Sequence, residues 1–238
     1  MTGEPRRPPT PLRRKAVRID RILEDSYGRP RRRSRRDGVS TLVLTILSQN
    51  TSDTNSGRAF DRLRARFSSW ATLAAAPLEA VIEAIRPAGL SALKAPRIQA
   101  ALHRITADRG ALSLDFLRRW PVGRAKAWLC DLAGVGPKTA AIVLVFGLGV
   151  PAFAVDTHVF RVGRRTGLIP EGMSVEDAHG WMEALVRPER YGPFHLLLIR
   201  HGREICKAGR PRCEICPASR VCDFNARRAS GRTSTGQP

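Results

Sequence analysis

Four cysteines, Cys206, Cys213, Cys216 and Cys222, lie within 17 residues of one another near the C-terminal end, and a fifth, Cys130, stands apart. In a reducing compartment such a group reads as a metal site before it reads as disulfides. Four thiolates suit an iron-sulfur cluster or zinc, and the one Cys-x-x-Cys pair fits either. The second chemical feature is Leu132-Ala133-Gly134-Val135-Gly136-Pro137-Lys138-Thr139. Its glycines let backbone amides approach a ligand, and Pro137 suits the first turn of a following helix. Amides at a helix start form an anion site that fits a nucleic-acid phosphate. On these residues alone an ordinary turn between helices explains the pattern equally well. Asp156, just ahead of Thr157, is suited to cap a helix.

The elements that must position these groups are helical. Apolar residues recur at helical spacing from Thr41 to Cys206, with the clearest segments at 41–47, 56–67, 78–85, 92–105, 125–132, 139–146, 157–166, 175–186 and 194–205. Short Gly and Pro interruptions separate them, and alternating strand patterns are scarce, so the fold class is all-α. Residues 1–19 read as a disordered basic tail, and residues 226–238 as a second one. The basic run 29–36 (RPRRRSRR) reads as a mobile charged segment, with phosphate contact or a nuclear address as the alternatives.

Composition narrows the partners. The chain has 238 residues, of which 42% are hydrophobic and 26% charged, so it can bury a core. Its 41 basic and 21 acidic residues leave a net charge of +20, which points to a polyanion. Lys15, Lys94, Lys126, Lys138 and Lys207 are its five lysines, so a lysine inside a motif is less expected to be generic surface charge. No apolar run reaches the roughly 20 residues that cross a bilayer, and no signal peptide is visible. An intracellular protein, nucleoid-associated if bacterial, follows as the expectation.

LAGVGPKTA resembles the helix-hairpin-helix of the endonuclease III branch of DNA glycosylases. Ala154-Val155-Asp156-Thr157-His158 resembles that family's aspartate segment, and Leu47-Ser48-Gln49-Asn50-Thr51-Ser52-Asp53 its first helix-boundary motif. The spacing of Cys206, Cys213, Cys216 and Cys222, with six, two and five residues between them, resembles the family's [4Fe-4S] loop. The resemblance covers roughly residues 20–225.

The resemblance implies roles. Lys138 would attack the deoxyribose C1′ of a damaged nucleotide, displace the base, and form a Schiff base that permits β-elimination of the 3′ phosphate. An ordinary lysine, with pKa about 10.4, is neutral in roughly one molecule in 2,500 at pH 7. A helix dipole alone would lower that value by less than one pH unit, so burial in a closed site is expected to be the larger effect. Asp156 would assist deprotonation and stabilise positive charge on the sugar. Asn50 would fill the gap left by the extruded nucleotide, where the family often has Gln, and Leu90 would wedge the opposite strand. Gly134, Val135, Gly136 and Thr139 would bind the DNA backbone, and Lys207, Arg210 and Arg212 would lie against phosphates. His158 reads as structural and Cys130 as a small buried hydrophobe.

The resulting expectation is a bifunctional glycosylase and abasic-site lyase for oxidised pyrimidines in base excision repair. It would act as a monomer on double-stranded DNA carrying damaged bases or abasic sites, with a [4Fe-4S] cluster and no membrane contact. The family implies two lobes with a DNA cleft between them, residues 20–39 plus 153–225 holding the cluster and 40–152 forming a helical barrel with the hairpin. The alternatives are a mismatch-specific glycosylase without lyase activity, which Lys138 argues against, and a non-catalytic DNA-binding protein of the same fold.

Overall fold

Ala16, Ile19 and Leu23 recur at the spacing of one helix face, and they are buried on the first helix, α1 (Thr10–Tyr27). The computed structural model describes residues 8–30 and 36–231, and no strand occurs among them. The tail expected over residues 1–19 is therefore helical from Thr10 onward, because an apolar stripe runs beneath its arginines. Arg190 fastens this helix: its Nε and Nη2 donate to Asp20 at 2.7 and 2.8 Å, and Nη1 donates to Glu24 at 3.1 Å. The part of the basic run at 31–35 lies outside the described residues; Arg36 sits over the Phe60 ring at 5.4 Å.

The chain divides into two compact units, Met1–Arg33 with Phe153–Pro238, and Ser34–Ala152. Residues 36–39, expected with the cysteines, thus belong to the other unit. That unit begins with α2 (Gly38–Ser48), capped by Asp37, whose Oδ1 accepts from the Ser40 amide at 2.8 Å. Val39, Leu42, Val43, Ile46 and Leu47 are all buried, as in a helix apolar on every side, and α2 forms the centre of the unit. Around it come α3 (Asp53–Arg66), α4 (Trp70–Ala74), α5 (Leu78–Ala84), α6 (Ser91–Arg109), α7 (Val122–Cys130) and α8 (Pro137–Ile142). Helix α8 continues as a π-helical stretch, Val143–Leu148, which packs on α2.

The cysteine-bearing unit adds α9 (Thr157–Thr166), α10 (Val175–Leu185), α11 (Tyr191–Glu204) and α12 (Asp223–Ala229) to α1. Helix α11 packs on α9 and on α1. The second expected tail also starts later than read, since α12 runs to Ala229. Asp223 in its first turn pairs with Lys15 of α1 at 2.5 Å.

Candidate active site

Helices α7 and α8 flank the glycine turn and make a helix-hairpin-helix. Gly134 is exposed with φ +77°, and a Cβ there would lie 2.5 Å from Cδ of Arg97, so both conformation and space call for glycine. Gly136 differs: its φ of −101° is ordinary, and nothing lies within 4 Å of where a Cβ would stand. Its use is the open approach to the backbone. Val135 and Thr139, expected to contact DNA, are only 5% and 4% exposed. Their side chains hold the turn from below, which leaves the backbone as the part that can meet a phosphate.

Lys138 stands on the first turn of α8, after Pro137, and is exposed. This departs from the burial expected of a nucleophilic lysine. Lys138 faces solvent, while Thr139, Ala140 and Ala141, which follow it on α8, are buried.

Asp156 caps α9, with Oδ1 accepting from the Val159 amide at 2.7 Å, and is half-buried. The strand-like segment before it is buried from Ala152 to Val155 and is held by side chains. Glu183 accepts from the Phe153 amide at 2.8 Å, and the Phe153 and Ala154 carbonyls meet His179 and His195 at 3.1 and 2.8 Å. Buried backbone that lacks a ladder partner is satisfied in this way, and Asp156 is placed firmly as a result. His158 is also structural: Nδ1 meets Arg161 Nη2 at 3.1 Å, and burial pushes its pKa down, which favours the neutral ring that can accept there.

Asn50 and Leu90 share an unusual backbone. They are the two non-glycine residues with positive φ among those described, at 53° and 48°. Asparagine tolerates that region, but a leucine there is a true outlier, the kind that marks functional sites. Leu90 is 52% exposed ahead of α6, and its neighbour Leu93 is 54% exposed. Sequence reading missed three residues that support these loops. Gln49 donates from Nε2 to the Gly134 carbonyl at 2.9 Å, joining the Asn50 loop to the hairpin. Arg97 packs under Gly134, and Lys94 bonds two carbonyls from within the core. The rarity of lysine was the available signal for Lys94.

The four cysteines line one pocket with His201, Ile205, Pro211 and Phe224, and each is half-buried and free. Helix α9 grips their loop. Arg161 donates to the Cys206 and Gly202 carbonyls at 3.0 and 2.8 Å, and Arg165 donates to those of Lys207 and Ala208 at 2.6 and 2.7 Å. Arg165 Nη1 also lies 3.4 Å from the Cys206 sulfur. Burial pushes the Cys216 thiol up to about 11, with the other three sulfurs adding to the shift, and it raises Cys222 as well. Burial thus disfavours the thiolate at Cys216 and at Cys222. Among the described residues no three candidate ligands converge on a single metal ion. Lys207, Arg210 and Arg212 are exposed on this loop, while Cys130 is half-buried with its thiol raised by burial.

Hairpin, buried central helix and cysteine loop define an all-α helix-hairpin-helix protein. The profile of the HhH-GPD superfamily of base excision DNA repair proteins matches residues 43–188. The endonuclease III of Thermotoga maritima is 33% identical over 85% of this chain and 90% of its own length. A putative DNA glycosylase of Arabidopsis thaliana is 38% identical over 69% of this chain, which spans 56% of that relative's length. A solved structure of endonuclease III trapped as a covalent intermediate with DNA superposes with a TM-score of 0.76 at 28% identity, covering 91% of this chain and 98% of that one. The chain belongs to the HhH-GPD superfamily, within its endonuclease III family of DNA glycosylases. No helix among the described residues is long and apolar enough to cross a membrane.

Proposed function

We propose that the protein is a bifunctional DNA glycosylase and abasic-site lyase that removes oxidised pyrimidines from double-stranded DNA. The observation that carries this reading is Lys138, an exposed amine on the first turn after a helix-hairpin-helix turn, in a chain with few lysines. Two solved structures of endonuclease III with DNA, one a trapped covalent intermediate and one a non-covalent complex, support it.

The neutral amine of Lys138 gives its electron pair to C1′ to form the new bond, while the pair of the broken bond from C1′ to the base leaves with the base, which takes up a proton. Loss of the amine proton and opening of the sugar yield an iminium. Removal of a C2′ proton then expels the 3′ phosphate. Because Lys138 is exposed in the free protein, the bound nucleic acid must supply the desolvation that favours the neutral amine. Asp156 is the carboxylate we assign to the positive charge that develops on the sugar; its Oδ1 serves the helix cap, and Oδ2 remains for this task. Asn50 and Leu90 are assigned to the gap and to the opposite strand, since extruding a nucleotide leaves a void that a side chain must occupy.

Cys206, Cys213, Cys216 and Cys222 would hold a [4Fe-4S] cluster. Four thiols line one pocket, and their spacing of six, two and five residues resembles the loop of an iron-sulfur family more than a zinc finger, which supports a multi-iron group. The cluster would anchor the loop that α9 grips, and would do so without entering the reaction.

Borohydride trapping tests the nucleophile. Wild-type protein incubated with duplex containing thymine glycol should form a covalent adduct and nick the strand, while folded Lys138→Ala should form none. Adduct formation by that variant at the wild-type level would reject the assignment.

A further inference from the structure

We infer that Lys94 is a positioning residue, holding the Asn50 loop and the Leu90 loop at one fixed spacing so that both enter the duplex together; this rests on the reading under Proposed function. Lys94 is 1% exposed, one of the largest fully buried side chains among the described residues. Its Nζ donates to the Leu47 carbonyl and to the Ala88 carbonyl, each at 2.8 Å. Leu47 lies three residues before Asn50, and Ala88 lies two before Leu90. The Lys94 amide also donates to the Leu90 carbonyl at 3.0 Å. One residue therefore grips the chain ahead of both left-handed residues, and on the far side of Leu90 as well.

A buried ammonium group is costly, and burial pushes the pKa of Lys94 down accordingly. Its partners are carbonyl dipoles, and an apolar side chain of the same length would fill the space with no buried charge. What an apolar residue could not do is fasten two separate loops through their backbones. Stacked bases rise about 3.4 Å per step, so a gap-filling residue and a wedge on the other strand must keep their separation closely. Gln49, bonded to the Gly134 carbonyl, extends the same frame to the hairpin that carries Lys138.

The test compares two substrates at saturating protein in single turnover: duplex with thymine glycol, which requires extrusion, and a single strand with a preformed abasic site, which does not. Lys94→Met should slow processing of the duplex at least tenfold, by the loss of coordinated insertion, and should stay within twofold of wild type on the single strand. A duplex rate within twofold of wild type would overturn the inference. So would an equal loss on both substrates, which is what a general packing role predicts. Where melting shows that Lys94→Met does not fold, Lys94→Gln carries the same comparison. Collapse of both variants would also overturn the inference, since a lysine needed for folding at all requires no positioning role. Wild-type protein inactive on both substrates would instead refute the lyase reading.

Discussion

At the scale of single residues, Asp156 caps a helix and is also the side chain to which we assign a chemical role. One oxygen accepts from the Val159 amide and starts α9. Asparagine caps as well as aspartate but carries no charge. Asp156→Asn should therefore keep the fold and its melting temperature while slowing base release about 100-fold, the usual cost of removing one electrostatic stabiliser. Single-turnover base release by the folded variant measures this, and an unchanged rate would leave Asp156 as a cap alone. Lys138 was legible from its motif, but its exposure was not, because exposure depends on what surrounds the first turn of α8. Asn50 and Leu90 were legible as motif neighbours; their left-handed backbones were not, since propensity argues against such angles for leucine.

Among the elements, α9 connects the two sites we propose in its unit. It begins at Asp156, and its Arg161 and Arg165 hold the cysteine loop through four backbone carbonyls. A cluster in that loop would thus stabilise the helix that Asp156 opens. Protein purified without oxygen should contain about four irons and four sulfides per chain, and Cys213→Ser should lower that iron content and the melting temperature together. Zinc in place of iron, measured by elemental analysis, would sink the cluster. The first part of α1 was misread because arginines and prolines dominate residues 1–19 taken together. The apolar face of α1 and its clamp to Arg190, 166 and 170 positions distant, decide its state.

For the whole molecule, a net charge of +20 governs binding more than any single contact does. Neutralising roughly six phosphates would make affinity for undamaged duplex fall about a thousandfold between 50 and 200 mM salt. A fluorescence titration across that range checks it, and a nearly flat response would mean that few phosphates are engaged. The sequence by itself determined the all-α class, most helix boundaries, the hairpin, and the residue types that can act as nucleophile, carboxylate and metal ligands. The class and the helices follow from spacing within a few turns of chain, which periodicity and capping rules read directly, whereas the hairpin and the nucleophile, carboxylate and metal-ligand roles were legible through the resemblance of their motifs to a family. Only the tertiary structure decided that Lys94 reaches the Leu47 carbonyl 47 positions away, that Gln49 meets Gly134 across 85, and that Asn50 and Leu90 adopt their left-handed angles. Those contacts depend on how the helices of that unit pack, and no local pattern encodes which distant carbonyl a side chain will find.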